Sequence, residues 1–260
     1  MKTNLLRRRV VEGRLSVGHM ITEFGTRGIA KIVEAAGIDF VLLDMEHSGN
    51  ELERVADLIA WFKATPVAPI VRVPSALYHF VARSLDAGAL GIMCPNVESV
   101  EQARIIVNAV KYAPEGNRGL GLGGAHNDYV PPKPLEYLAQ SNANTSVICQ
   151  IESRRGLENL EAIAALPGVD TLWVGQFDLT QSLGIVAQFE HPRFLEALSM
   201  VAEVARRHGK GAGIQPSSRE QASAWIKLGY NVISYASDVT VYRNALAEVV
   251  AAVREMETLK

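Results

Sequence analysis

The sequence has only two cysteines in 260 residues, Cys94 and Cys149, both inside apolar runs (GIMCPN and SVICQI). A disulfide-stapled scaffold is therefore not expected. The two read as reduced core thiols, which suits a reducing cytoplasm. Net charge is also nearly absent. With 26 Lys+Arg against 28 Asp+Glu the chain carries −2, so nothing marks a nucleic-acid or acidic-membrane partner. No stretch approaches the roughly 18 consecutive apolar residues of a membrane span. The opening MKTNLLRRRVVEGRLSVG is basic but has neither a long apolar segment nor a small-residue cleavage site, which argues against a signal peptide. No linker or low-complexity tract divides the chain. These absences predict a cytoplasmic protein with a single domain over residues 1–260.

What the sequence does contain is alternation. Strand-like runs fall at 16–21 (SVGHMI), 40–45 (FVLLDM), 69–73 (PIVRV), 91–95 (GIMCP), 146–152 (SVICQIE), 171–175 (TLWVG), 211–214 (GAGI) and 231–236 (NVISYA). Helical patterns separate them, several stopping at a glycine such as Gly37, Gly88, Gly209 or Gly229. Eight such pairs predict an α/β fold closed as a (β/α)8 barrel. An open doubly wound sheet would place a glycine-rich phosphate turn after the first strand, and TEFGTRGIA matches that poorly. The one long irregular insert predicted is 113–145, between the fourth and fifth strands.

A barrel enzyme works at the C-terminal ends of its strands. Polar residues crowd those ends: Asp44, Glu46 and His47 after the second strand, Arg72 on the third, Gln150 and Glu152 on the fifth, and Gly175-Gln176-Phe177-Asp178 after the sixth. Period-two alternation puts Ile148, Gln150 and Glu152 on one face. Glu152 could cap the next helix or pair with Arg154 or Arg155, and Asp178 could be an N-cap. Alternatively, carboxylates on adjacent strands could converge on one hard cation such as Mg²⁺ or Mn²⁺. Backbone N–H groups around Gly175–Asp178 could hold a substrate carboxylate. Arg72, inside an apolar strand, calls for an anionic partner. That partner is either a structural one (Asp44 or Glu46) or charge developing on a substrate oxygen.

Lysine is missing from the C-terminal end of every predicted strand, which argues against Schiff-base chemistry. Among the histidines, His19 lies near the end of the first strand and His126 in the glycine-rich loop. His79, His191 and His208 read as helix or loop positions.

The motifs LLDMEHS, VRVP, SLDAGALGIMCPNVESVEQAR, YAPEGNRGLG, QIESRRGLENL and VGQFDLTQSLG, in this order, resemble the HpcH/HpaI aldolases, metal-dependent class II pyruvate aldolases that cleave 4-hydroxy-2-oxo acids. The resemblance implies a barrel whose last helix is exchanged between subunits of a homo-oligomer, a hexamer or trimer. It also implies a divalent metal (Mg²⁺, Mn²⁺ or Co²⁺) on Glu152 and Asp178, with Gln150 nearby. Arg72 would act at the enolate oxygen, His47 paired with Asp44 in proton transfer, and Asp86 at a neighbouring subunit's site. The expected substrates are a small oxo acid and an aldehyde, with no nucleic-acid or membrane partner. A lyase for oxaloacetate or a CoA thioester, and a non-catalytic oxo-acid binder, remain alternatives. The sequence departs from the family pattern at Gln176-Phe177, where many members have Pro-Ala, at Gly213-Ile214-Gln215-Pro216, and in the 120–130 loop. All three are expected near the barrel mouth.

Overall fold

A computed structural model describes residues 1–257. Eight strands, β1 (Ser16–Ile21), β2 (Phe40–Asp44), β3 (Ala68–Arg72), β4 (Gly91–Cys94), β5 (Ser146–Ile151), β6 (Thr171–Val174), β7 (Gly211–Ile214) and β8 (Val232–Ser237), pair in parallel in sequence order. β8 returns to β1 and closes the barrel. Each strand lies within about a residue of its expected position.

Alternation divides the side chains into two layers. Val41, Leu43, Val71, Ile92, Val147, Cys149, Leu172 and Val174 face outward into the shell packed under the helices. Met20, Phe40, Leu42, Ala68, Ile70, Met93, Ile148, Trp173 and Val232 fill the interior. Volume is balanced across the barrel. A Cβ on Gly18 would overlap the Phe40 ring, and one on Gly213 the Trp173 ring, so each glycine provides space that an aromatic takes. Above this apolar filling, the same inward-facing rows continue as Asp44, Arg72, Gln150 and Glu152. The fold places its ionisable groups at one end because the rows turn polar at their last positions.

Two segments differ from the sequence reading. Leu5–Val11 forms a helix whose Leu6 and Val10 join the interior cluster and plug the N-terminal end of the barrel. The 113–145 insert is not irregular throughout, since Pro134–Asn144 is a helix with proline in its first turn. Nor does the 120–130 loop lie at the mouth. It packs on Lys63, which donates to the Ala125 carbonyl and to Asp128 (2.6 Å), and on Asp86, whose carbonyl meets the His126 ring at 3.1 Å. Lys63 and Asp86 stand at the C-terminal ends of their helices, just before β3 and β4 begin. The loop therefore covers the end opposite the mouth.

The last helix, Asp238–Glu257, docks near its start through Tyr242, which packs edge-on to Phe24 at 5.4 Å. Farther along, Leu246, Val249, Val253 and Met256 are exposed. No helix among the described residues is long and apolar enough to cross a membrane. Asp238 fixes the helix start by accepting from the Thr22 N–H (3.1 Å) and hydroxyl (2.7 Å), the Glu23 N–H (2.9 Å) and the Phe24 N–H (2.7 Å). Burial alone would raise its carboxyl pKa, but these donors together hold it below the usual aspartate value. Stability from a depressed carboxylate is present above its unfolded pKa and is lost as pH falls through the folded one. Asp238→Asn should lower stability at pH 7 by about 1–3 kcal/mol. The gap from wild type in urea unfolding should close as pH drops below about 4.

Candidate active site

β2 and β3 are paired in register so that Asp44 lies beside Arg72. The fully buried Asp44 carboxylate accepts from Arg72 Nε at 2.7 Å and Nη2 at 2.8 Å. It also accepts the backbone N–H groups of Glu46 (3.0 Å) and His47 (3.3 Å). Glu46 adds an ion pair to Arg72 Nη1 at 3.1 Å. Burial pushes the Glu46 carboxyl pKa up, and Arg72 pulls it back toward the charged form. The guanidinium is thus held on two sides.

This geometry corrects one expectation. Asp44 does not orient the His47 ring, because its oxygens are taken by Arg72 and two backbone N–H groups. The imidazole instead lies 3.7 Å from Glu46, with its side chain 65% exposed at the rim. Glu46, expected from the sequence as a structural ion-pair partner of Arg72, fills that place and touches the histidine as well.

Gln150 and Glu152 rise from β5 into the same mouth. Glu152 accepts the Asn96 N–H at 2.7 Å, with Asn96 in the left-handed region at φ 53°, and the Gln150 amide as well. It meets no lysine or arginine at ion-pair distance among the described residues. Burial pushes its carboxyl pKa up to about 7, against the two hydrogen bonds, and neighbouring Glu46 and Asp178 add to the rise. Gly175, at the end of β6, is required by close approach, since a Cβ there would run into the Glu152 carboxylate and the Gln150 amide. The chain then enters the helix Gln176–Ser182 with Asp178 in its first turn. Gln176 donates to the Gln215 carbonyl at 2.7 Å and Gln215 to the Ala236 carbonyl at 2.8 Å, which fastens β6 to β7 and β8 at the rim.

His47, Arg72, Gln150, Trp173, Gly175, Gln176, Phe177, Asp178 and Gln215 line one cavity of about 310 Å³. Sequence reading missed Trp173, whose inward position follows from period-two alternation with Gly175; Gln215 was expected near the mouth as a departure from the family pattern, but without a role. Asp86 is not at this mouth. It stands at the far end, where Arg118 Nη2 holds it at 2.6 Å. His19 is also elsewhere, facing outward with its ring 3.0 Å from the Tyr235 carbonyl.

A closed parallel barrel that gathers acids, an arginine and an imidazole at its C-terminal rim has the form of a barrel enzyme. The profile of the HpcH/HpaI aldolase/citrate lyase family matches residues 25–245. A curated 5-keto-4-deoxy-D-glucarate aldolase from Klebsiella pneumoniae is 36% identical over 217 residues, 83% of each chain. The crystal structure of an HpcH/HpaI aldolase from Desulfitobacterium hafniense superposes with a TM-score of 0.92 at 30% identity, covering 96% of this chain and 97% of its own. One of an HpcH/HpaI aldolase/citrate lyase family protein from Burkholderia cenocepacia gives 0.90 at 32%, covering 97% and 100%. The chain belongs to the HpcH/HpaI aldolase/citrate lyase family, and it is an enzyme of carbon–carbon bond cleavage.

Removing Asp44 leaves a buried guanidinium with Glu46 alone. Asp44→Ala should destabilise the fold by about 3 kcal/mol, the lower end for breaking a buried ion pair. Urea denaturation measures this, and a change under about 0.5 kcal/mol, ordinary for a surface substitution, would contradict the reading.

Proposed function

We propose that the protein is a class II pyruvate aldolase that reversibly cleaves a 4-hydroxy-2-oxo acid into pyruvate and an aldehyde. The observation that carries this reading is the gathering at one mouth of a fixed guanidinium (Arg72), an exposed imidazole (His47) and two carboxylates, Asp178 lining the cavity and Glu152 close beside it, neither ion-paired to a lysine or arginine among the described residues.

The residues present suit a divalent cation. Gln150 Oε1 is buried without a hydrogen-bond partner, and Gly175 keeps space open beside the Glu152 carboxylate. Asp178 raises the cost of charge on both Glu46 and Glu152, and Glu46 adds to it at Glu152. No three His, Cys, Asp or Glu side chains form a metal cluster among the described residues. Glu152 and Asp178 would therefore be the protein's share, with water and substrate supplying the rest. Hard oxygen donors of this kind suit Mg²⁺ or Mn²⁺, with Co²⁺ a further candidate. When bound, the ion supplies Lewis-acid polarisation of the substrate's keto group.

The chain's own residues do the remaining work. Arg72 stabilises negative charge developing on the keto oxygen. The first-turn N–H groups of Gln176, Phe177 and Asp178 lack intrahelical partners and receive the substrate carboxylate. His47 takes the proton from the C4 hydroxyl as the C3–C4 bond breaks. The bonding pair becomes the enolate of pyruvate, which is protonated at C3, and the hydroxyl carbon leaves as the aldehyde. An imidazole with an intrinsic pKa of about 6.5 suits this proton transfer near neutrality, and Glu46 is placed to steer it. The exposed apolar stripe on the last helix supports a homo-oligomer, a trimer or hexamer, in which Asp86 would serve a neighbouring mouth.

The test is pyruvate formation from 4-hydroxy-2-oxo acids after full chelation and re-addition of Mg²⁺, Mn²⁺ or Co²⁺. Chelation, Glu152→Gln or Asp178→Asn should each reduce turnover on the order of 10³-fold. His47→Ala should cost about 10²–10⁴-fold, with pyruvate binding retained. Undiminished activity after chelation would refute the assignment of Glu152 and Asp178.

A further inference from the structure

The helix that carries Asp178 also carries an aromatic ring that the fold does not need. Phe177 is 61% exposed, yet it lines the cavity, and its position is fixed from behind. Its ring meets Phe189 edge-on at 5.1 Å and 87°. Phe189 packs on Phe194 at 5.7 Å, and Phe194 on Trp225 at 6.4 Å. Phe194 and Trp225 are buried. The run thus anchors Phe177 in the core while leaving its ring in water beside the mouth. An exposed phenyl ring gives up part of the free energy that its burial would contribute, and edge-on stacking recovers only a fraction of it. A ring held this way forms a preorganised apolar wall.

The charges around the mouth point the same way. Among the described residues Arg72 is the only lysine or arginine lining the cavity, and Asp44 and Glu46 already hold it. The remaining ionisable groups there are His47 and Asp178, with Glu152 close by. A second carboxylate on the aldehyde fragment would meet acids, with no further lysine or arginine among the described residues that line the cavity. The Klebsiella relative is named for 5-keto-4-deoxy-D-glucarate, a dicarboxylate.

We propose that Phe177 is a specificity-determining residue that selects an uncharged, apolar aldehyde, aromatic or branched aliphatic, over a carboxylated one. This rests on the pyruvate aldolase reading, and the experiment separates the two. Exchange of pyruvate methyl protons in D₂O, followed by NMR with each cation, needs no aldehyde and reads enolate formation alone. Condensation of pyruvate with benzaldehyde and isobutyraldehyde, against glyoxylate and succinic semialdehyde, then reads the choice of partner.

The expected result is exchange together with a kcat/KM at least about tenfold higher for the apolar pair, a difference of one methylene-scale contact or more. Phe177→Ala should collapse that ratio, chiefly through the KM for the apolar aldehydes. Phe177→Arg should invert it in favour of the carboxylated ones. Exchange with a preference for glyoxylate or succinic semialdehyde would overturn the proposal alone. So would an unchanged ratio in both variants. Absence of exchange with every cation would overturn the aldolase reading and this proposal with it.

Discussion

The mouth of this barrel depends on one buried guanidinium. Arg72 ends an otherwise apolar strand, and a charge there is tolerable only with anionic partners. Asp44, in register on the neighbouring strand, supplies two parallel hydrogen bonds, and Glu46 supplies a third contact. The planar guanidinium suits this bidentate arrangement in a way an ammonium would not. Because Asp44 also accepts the N–H groups of Glu46 and His47, the same contacts that neutralise the arginine shape the loop that carries the imidazole. Charge compensation and site geometry are one structure here.

The chemistry around that pair divides by charge state. On one side, acids already neutralise a cation. On the other, Glu152 lies buried with two neutral donors and no cationic side chain at ion-pair distance among the described residues, and Asp178, which lines the adjoining cavity, is near enough to raise its carboxyl pKa. An incoming divalent ion would find the second group free because the first is occupied. The register commits Asp44 to the arginine and an ion pair commits Glu46, which still repels the neighbouring Glu152 and Asp178.

Much of this was legible in the sequence for physical reasons. Strands buried on both sides leave unbroken apolar runs such as FVLLD and SVICQI, and each run turned polar at the end that became the mouth. The inward direction of Gln150, Glu152 and Arg72 followed from alternation alone. Other features were not local in sequence and could not be read. The sequence offered Asp44 two partners, Arg72 and the His47 ring only three residues away, and what chose between them was a register across strands 28 residues apart. The glycine-rich loop looked like part of a mouth, but its placement depends on Lys63 and on the carbonyl of Asp86, neither of which its own residues reveal. The N-terminal plug was missed because LLRRRVV is too short and too basic to show a helical stripe.

Two neighbouring positions carry separable duties. Residue 175 has no room for any side chain, since its backbone borders the Glu152 carboxylate. Two residues later the side chain at 177 lies on the cavity wall, packed on Phe189 on one side and largely exposed on the other. A lineage built on this frame could therefore exchange the group at 177 freely, and so change what it accepts, while any change at 175 would damage the reaction centre. Adaptability and fixity sit two codons apart.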